Sequence, residues 1–294
     1  MSFYEEISSN KRMTWILVGF FLIFIVIIGL VFDYAFDAGG FILILAVIFS
    51  IIYSLIAFWK SDSIVLAISR ARPATKEENQ ILVNVAEEMT IASGIPMPKL
   101  YVIDDTAMNA FATGRDPEHG IVCVTTGLLA KMNREELQGV IAHEMSHIKN
   151  YDIRLMTIVS VLVGLSVLLS DLFLRMTFFG GGRRDSKGGH WIFIVLAIVL
   201  AILTPVIAQI INFSISRKRE FLADASAAEM TRQPRGLANA LRKLSGDKEI
   251  LEAANKATAH LYIADPLKGQ KMWMKSMFST HPPIEERIKK LESM

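Results

Sequence analysis

From Trp15 to Phe32 the chain is almost unbroken apolar residue, and from Phe41 to Trp59 it is so again, ending at Lys60. In a helix the first run rises about 27 Å, close to the roughly 30 Å of hydrocarbon in a bilayer. Hydrocarbon leaves backbone N–H and C=O groups no solvent partner, and a helix satisfies them within one segment. Residues 33–40 between the runs are short and carry Asp33 and Asp37 without a cation, the kind of connection that is translocated. The sequence therefore predicts an N-terminal transmembrane hairpin in residues 1–60, with spans at about 15–32 and 41–59. The N-terminus and the segment after Lys60 are expected in the cytoplasm. A cleaved signal peptide fits less well: the block is long for one, no Ala-x-Ala follows, and Phe36 and Asp37 stand where cleavage would fall.

Leu155 to Leu174 and Trp191 to Phe213 are apolar in the same way, interrupted by Asp171 in one and by Pro205, Gln209 and Asn212 in the other. They predict a second hairpin in residues 155–213, with spans at about 155–174 and 191–213. The loop between them carries Arg183, Arg184 and Lys187, which opposes an external position. Arg154, Arg217, Lys218 and Arg219 on the other flanks argue for it. A hydrophobic fraction of 52% in 294 residues and a mean hydropathy of +0.39 exceed those of an ordinary soluble protein. They leave room for a membrane part and one domain, in two pieces, 61–154 and 214–294. A net charge of +2, with no basic cluster interleaved with aromatics, excludes a nucleic-acid groove. The single cysteine, Cys123, rules out an internal disulfide and a cysteine-rich zinc site, and fits a reducing compartment.

In the first piece Thr75 and Glu78 read as the capping box of a helix running to about Ala92 and stopped by Gly94 and Pro96. Lys99–Ile103, Met108–Thr113 and Ile121–Thr126 read as strands, with Cys123 a small buried strand residue. His119, in the turn between the last two, and likewise His190 and His260, read as solvated side chains.

The chemistry is concentrated in His143-Glu144-Met145-Ser146-His147. Asn133 and Glu136 supply a capping box for a helix beginning near Arg134. Leu137, Ile141, Met145 and Ile148 form one apolar stripe, while His143, Glu144 and His147 share another side. Residues four apart lie about one turn apart on a single face, so the two imidazoles can grip one ion, with zinc the expected one, one per chain. A catalytic zinc takes three protein ligands and keeps one position open. Glu220, Asp224, Glu229 and His281 are all conceivable as the third. Glu220 is preferred because it stands beside the expected membrane exit, where the helix of His147 also ends, whereas Glu229 lies about 13 Å further along a continuous helix. Asp224, one turn beyond Glu220, can accept the free N–H of a liganding histidine. Glu144 is then the proton acceptor in peptide hydrolysis.

H-E-M-S-H at 143–147, R-E-F-L-A-D at 219–224, M-N-A-F-A-T-G at 108–114 and S-T-H-P-P-I-E-E-R at 279–287 together resemble the HtpX family of membrane zinc metalloproteases. The resemblance covers almost the whole chain. It implies an α-helical membrane protein with four transmembrane helices and a mainly α (α+β) zincin-type domain with a small β-sheet. It also implies a multi-pass protein of the plasma (inner) membrane, with catalytic domain and both termini cytoplasmic. Its expected partners are the bilayer and polypeptide substrates, damaged or misfolded membrane proteins above all, and it cleaves itself. Asn109 matches the asparagine that holds the substrate backbone, and His281 and Arg287 match the pair that stabilises the oxyanion. A processing protease resembling the CaaX prenyl endopeptidases is the nearest alternative, but such enzymes have more spans. A non-catalytic scaffold stabilised by zinc is less well supported, because structural sites usually use four protein ligands rich in cysteine.

Overall fold

The structure, a computed structural model, describes residues 3–179, 217–255, 258–266 and 282–294. Two long helices come first, α1 (Phe3–Phe36) and α2 (Phe41–Ile68). Among the described residues they supply the two segments long and apolar enough to cross a membrane, Ile7–Tyr34 and Phe41–Ile68, with mean hydropathies of 3.1 and 2.9. Ile23, Ile27, Ile44 and Ile51 are exposed, a surface suited to lipid and not to water. Asp33 does more than keep the connection free of cations. Its carboxylate accepts hydrogen bonds from the N–H groups of Gly40 at 2.8 Å and Ile42 at 3.0 Å, so it caps the second helix across a turn that Gly40 enters at φ 93°.

Both helices outrun the expected spans. Polarity ends an apolar run without ending a helix: the last turns of α2 carry Ser61, Val65 and Leu66, which are buried against the domain. The third apolar run lies on α6 (Asp152–Phe179), which starts three residues before the expected Leu155 and buries Ile153, Leu155, Met156, Ile158 and Val159. The expected fourth span at 191–213 lies outside the described residues, as do Ser186, His190 and His281.

The domain is mainly helical around a four-stranded sheet of order β1 (Arg72–Pro73), β2 (Lys99–Ile103), β4 (Ile121–Thr125), β3 (Ala110–Thr113). β2 and β4 run parallel with Lys99 opposite Ile121, while β3 is antiparallel to β4 with Ala110 opposite Val124. Every residue of β4 is buried, Cys123 included. The outer edge of β3 is covered by the chain itself: Ile263 N–H donates to the Ala110 carbonyl at 2.9 Å, beside an antiparallel bridge of Phe111 with Tyr262.

Three local expectations are corrected. Helix α3 (Gln80–Ser93) begins five residues after Thr75, because the Glu78 carboxylate is held by Arg72 at 2.7 Å and does not return to the Thr75 backbone. Strand β3 begins at Ala110 because Met108 N–H bonds Asp247 at 2.7 Å and Asn109 N–H bonds the Thr125 hydroxyl at 3.0 Å, outside the ladder. His260 is not solvated but buried, its Nε2 3.2 Å from Ser160 Oγ and 3.1 Å from the Met156 carbonyl. His119 is partly exposed beside Asp116, as expected of a turn residue.

Against the sheet lies α5 (Arg134–Lys149), with the capping box of Asn133 and Glu136 formed in both directions. Its stripe of Leu137, Ile141, Met145 and Ile148 enters a core with Leu82, Val85 and Met89 of α3 and Val122 and Val124 of β4. Burying each such aliphatic side chain contributes about 1.5–3 kcal/mol. On its other side α5 meets α8 (Pro234–Gly246) so closely that a Cβ on Gly139 would stand 2.6 Å from the Leu237 backbone nitrogen. Reciprocally, a Cβ on Gly236 would stand 2.6 Å from the Glu135 carbonyl. Gly139 lies one turn before His143, so this contact sets how deep the histidine helix is seated. Gly139→Ala is expected to destabilise the protein by about 2 kcal/mol, since neither backbone can yield cheaply. A thermal melt in detergent unchanged from wild type would contradict that.

Candidate metal centre

Two helices meet at the site. His143 and His147 project one turn apart from α5, and Glu220 and Asp224 project one turn apart from α7 (Arg217–Thr231), all of them buried. The two imidazole Nε2 atoms are 3.2 Å apart. Glu220 places Oε1 3.5 Å from His147 Nε2 and Oε2 3.8 Å from His143 Nε2. Ligands bound tetrahedrally at about 2.0–2.1 Å would be roughly 3.3 Å from one another, so this triad has the spacing of a zinc site. One donor atom from each of the three residues lies within 4.8 Å of the others.

The far sides of both rings are spoken for. His143 Nδ1 is 3.0 Å from Asp224 Oδ1, and His147 Nδ1 is 3.0 Å from Asp152 Oδ2. A carboxylate at Nδ1 keeps the proton there and leaves the Nε2 lone pair for a metal. Asp152 escaped notice in the sequence because it falls past the end of the histidine helix. The backbone reverses at Tyr151, with φ 60°, and brings Asp152 back beside the ring. The signal available was an acid five residues after a ligand histidine.

Charge in the site is unbalanced in the direction a dication corrects. Glu144, Glu220, Asp224 and Asp152 are buried around the two rings, with Arg287 as the fully buried cation. His143 is lowered to about 4, first by burial and then by the Arg287 charge. Burial also acts to lower His147, but its hydrogen bond to Asp152 and the charges of Glu220, Asp152 and Glu144 outweigh that and raise it to about 9. Glu144 is pushed up to about 7 by burial, with Glu220 adding to it and His147 opposing it. It also accepts a hydrogen bond from the Ala112 backbone. A carboxylate with that pKa can both take and return a proton near neutrality.

Arg287 reaches the site from α9 (Ile284–Glu292). Its Nε and one terminal nitrogen bond Asp224 at 2.9 and 2.7 Å, its other terminal nitrogen bonds the Ile263 carbonyl at 3.3 Å, and that nitrogen stands 3.5 Å from Glu220 Oε2. Its fork is thus occupied by the protein's own acceptors. The Asn109 side chain is likewise engaged, donating to the Ala264 carbonyl at 3.0 Å and accepting from Ala264 N–H at 3.3 Å. Cys123 is buried, and burial pushes its thiol up, which suits a strand residue and not a nucleophile.

Residues 76–294 match peptidase family M48. Over its whole length the chain is 47% identical to the Protease HtpX homolog of Dictyoglomus thermophilum, covering 95% of that protein. It is 46% identical to that of Thermoanaerobacter pseudethanolicus, with 99% of this chain and 97% of the other covered. With that of Listeria monocytogenes serotype 4a it shares 44% identity, with 99% of each chain covered. Among solved structures, the crystal structure of S. mikatae Ste24p superposes with a TM-score of 0.53 at 19% identity, over 97% of this chain and 66% of that one. At that identity it speaks to the fold alone.

The Asp224–Arg287 pair makes a testable statement about pH. Burial would raise the Asp224 pKa, but the Arg287 charge and the hydrogen bonds from His143 and Arg287 lower it from 3.8 to about 2. A carboxylate whose pKa falls on folding contributes stability that is present above its unfolded pKa and is lost as pH drops through the folded one. Asp224→Asn is therefore expected to cost about 3 kcal/mol at neutral pH, because it leaves Arg287 buried with its main partner uncharged. The gap from wild type should close between pH 4 and pH 2; denaturation curves with a gap independent of pH would refute the pair's role.

Proposed function

The chain belongs to the HtpX proteases of peptidase family M48, a membrane metalloprotease, and from that membership we propose that one zinc ion held by His143, His147 and Glu220 serves peptide hydrolysis assisted by Glu144. The observation that carries the ligand assignment is the convergence of these three donors with each ring backed by its own carboxylate. Bound there, zinc supplies Lewis acidity toward a carbonyl oxygen and toward water.

The protein's groups do the rest. Glu144 accepts a proton from the attacking water and delivers it to the departing amine. Asp224 and Asp152 keep the ligand rings oriented throughout. Arg287 holds Asp224 in place and adds positive charge close to where the oxyanion would develop. Asn109 matches the asparagine that the resemblance gives to the substrate backbone, and here its amide pairs with the backbone of Ala264, so it would exchange that partner for a substrate. His281 is assigned to assist Arg287.

Substrates in this reading are damaged or misfolded membrane proteins and the enzyme itself. The chain is divided as a hairpin in 1–60, a first domain segment in 61–154, a second hairpin in 155–213 and a second domain segment in 214–294. Supporting this is the burial of α6 against α1 and α2, where Tyr53 OH donates to the Val161 carbonyl at 3.0 Å. Four spans put the catalytic domain and both termini on one side, and the cation-free connection at 33–40 makes that the cytoplasmic side of the plasma membrane.

Glu144→Gln should keep one zinc per chain and lose at least about a hundredfold in casein cleavage and self-cleavage, whereas Glu220→Ala should lose the zinc itself. Full zinc content in Glu220→Ala, or near wild-type activity in Glu144→Gln, would reverse the respective assignment. The second hairpin is tested by Ser186→Cys in a Cys123→Ser background, which is expected to react with a membrane-impermeant thiol reagent from outside intact cells. Reaction only after lysis would place that loop inside.

A further inference from the structure

Asn10 lies near the start of the first apolar helix, yet it is buried, at 5% exposure, and its side chain meets neither lipid nor water. Its amide nitrogen donates to Asp152 Oδ1 at 2.7 Å and to the Asn150 carbonyl at 3.1 Å, and its amide oxygen accepts from Arg219 at 2.7 Å. The arrangement fixes the amide's orientation: reversed, it would set oxygen against a carboxylate and NH2 against a guanidinium. Asn150 caps the C-terminus of the histidine helix, Asp152 backs His147, and Arg219 precedes Glu220. One side chain of the membrane hairpin therefore joins the exit of the helix bearing two ligands to the entry of the helix bearing the third.

We propose that Asn10 is a positioning residue of the metal centre, acting through Asp152 to hold His147 in its metal-binding orientation. The physical reason lies in how Asp152 divides its two oxygens. A buried carboxylate must have its lone pairs satisfied. Asn10 takes Oδ1, with Arg219 3.7 Å from the same atom, and this leaves Oδ2 to face the ring of His147 at 3.0 Å. Without Asn10, Oδ1 lacks its closest donor, and the carboxylate gains by rotating toward Arg219 and away from the imidazole. The helix start is held at this contact by the residues that follow it: Lys11 lies 4.1 Å over the Tyr151 ring, and the buried Thr14 hydroxyl donates to the Asn10 carbonyl at 2.9 Å. The centre is thus built jointly by the domain and the membrane hairpin.

This inference rests on the metal reading, and its test separates the two. Zinc dissociation from the full-length protein in detergent is measured by competition with a chromophoric chelator, for wild type, Asn10→Ala, Asp152→Ala, the double variant and Leu17→Ala. Asp152→Ala is expected to weaken zinc about 10- to 100-fold. Asn10→Ala should weaken it by about 5- to 10-fold, and the double variant should be no weaker than Asp152→Ala alone, because residues that act through one contact are not additive. Leu17→Ala, which loosens the same helix in its apolar packing, should lower the melting temperature and leave zinc affinity unchanged. Wild-type affinity in Asn10→Ala, multiplying losses in the double variant, or an equal loss in Leu17→Ala would each overturn the role of Asn10 while leaving the metal reading in place. A wild-type chain that binds no zinc would overturn both.

Discussion

Everything in the catalytic half depends on two hydrogen bonds from imidazole Nδ1 to buried carboxylate, His143 to Asp224 and His147 to Asp152. Each removes a rotational freedom from a ring that a helix alone holds loosely, and each commits Nε2 to the lone-pair role. The requirement then spreads outward. Buried carboxylates need partners of their own, so Asp224 recruits Arg287 from α9 and Asp152 recruits Asn10 from α1. The site is less a triad than the centre of a polar network reaching five helices, enclosed by a core that keeps water from competing with any of its bonds.

That pattern explains what could be read from the sequence. The histidine helix was legible in its cap, its apolar stripe and the shared face of His143 and His147, because their determinants lie within a few turns of one another. Glu220 and Asp224 were legible as a pair for the same reason, and β2 was found at its observed limits. Asp152 and Asn10 were not: an acid five residues after a histidine is a faint mark, nothing local distinguishes an amide in a polar start, and the meaning of both is created where separate elements meet. His260 was misread for the same cause: a histidine shows its burial only when Ser160 is folded against it. The helix start misplaced at Thr75 is the reverse case, where a good local signal lost to a stronger distant one, the Arg72 guanidinium shared between Glu78 and Asp104.

The match to M48 proteins and the physical reading converge from different directions. Similarity over the whole chain speaks to ancestry and activity class, while the distances speak to which atoms are available for chemistry. Where the two meet most usefully is Arg287, which resemblance assigns to the oxyanion and which the contacts show first as the partner of Asp224. Both roles suit a guanidinium, since its planar fork presents several donors at once.

Because the domain is interrupted between His147 and Glu220 by the residues of α6 and the stretch that follows it, the order of synthesis has a meaning for this chain. A nascent chain that has emerged only as far as the histidines carries two imidazoles and a base without the carboxylate of Glu220, the proposed third ligand, and Arg287 arrives later still. On the ligand set proposed above, proteolytic capacity waits until the second half of the chain has folded back onto the first.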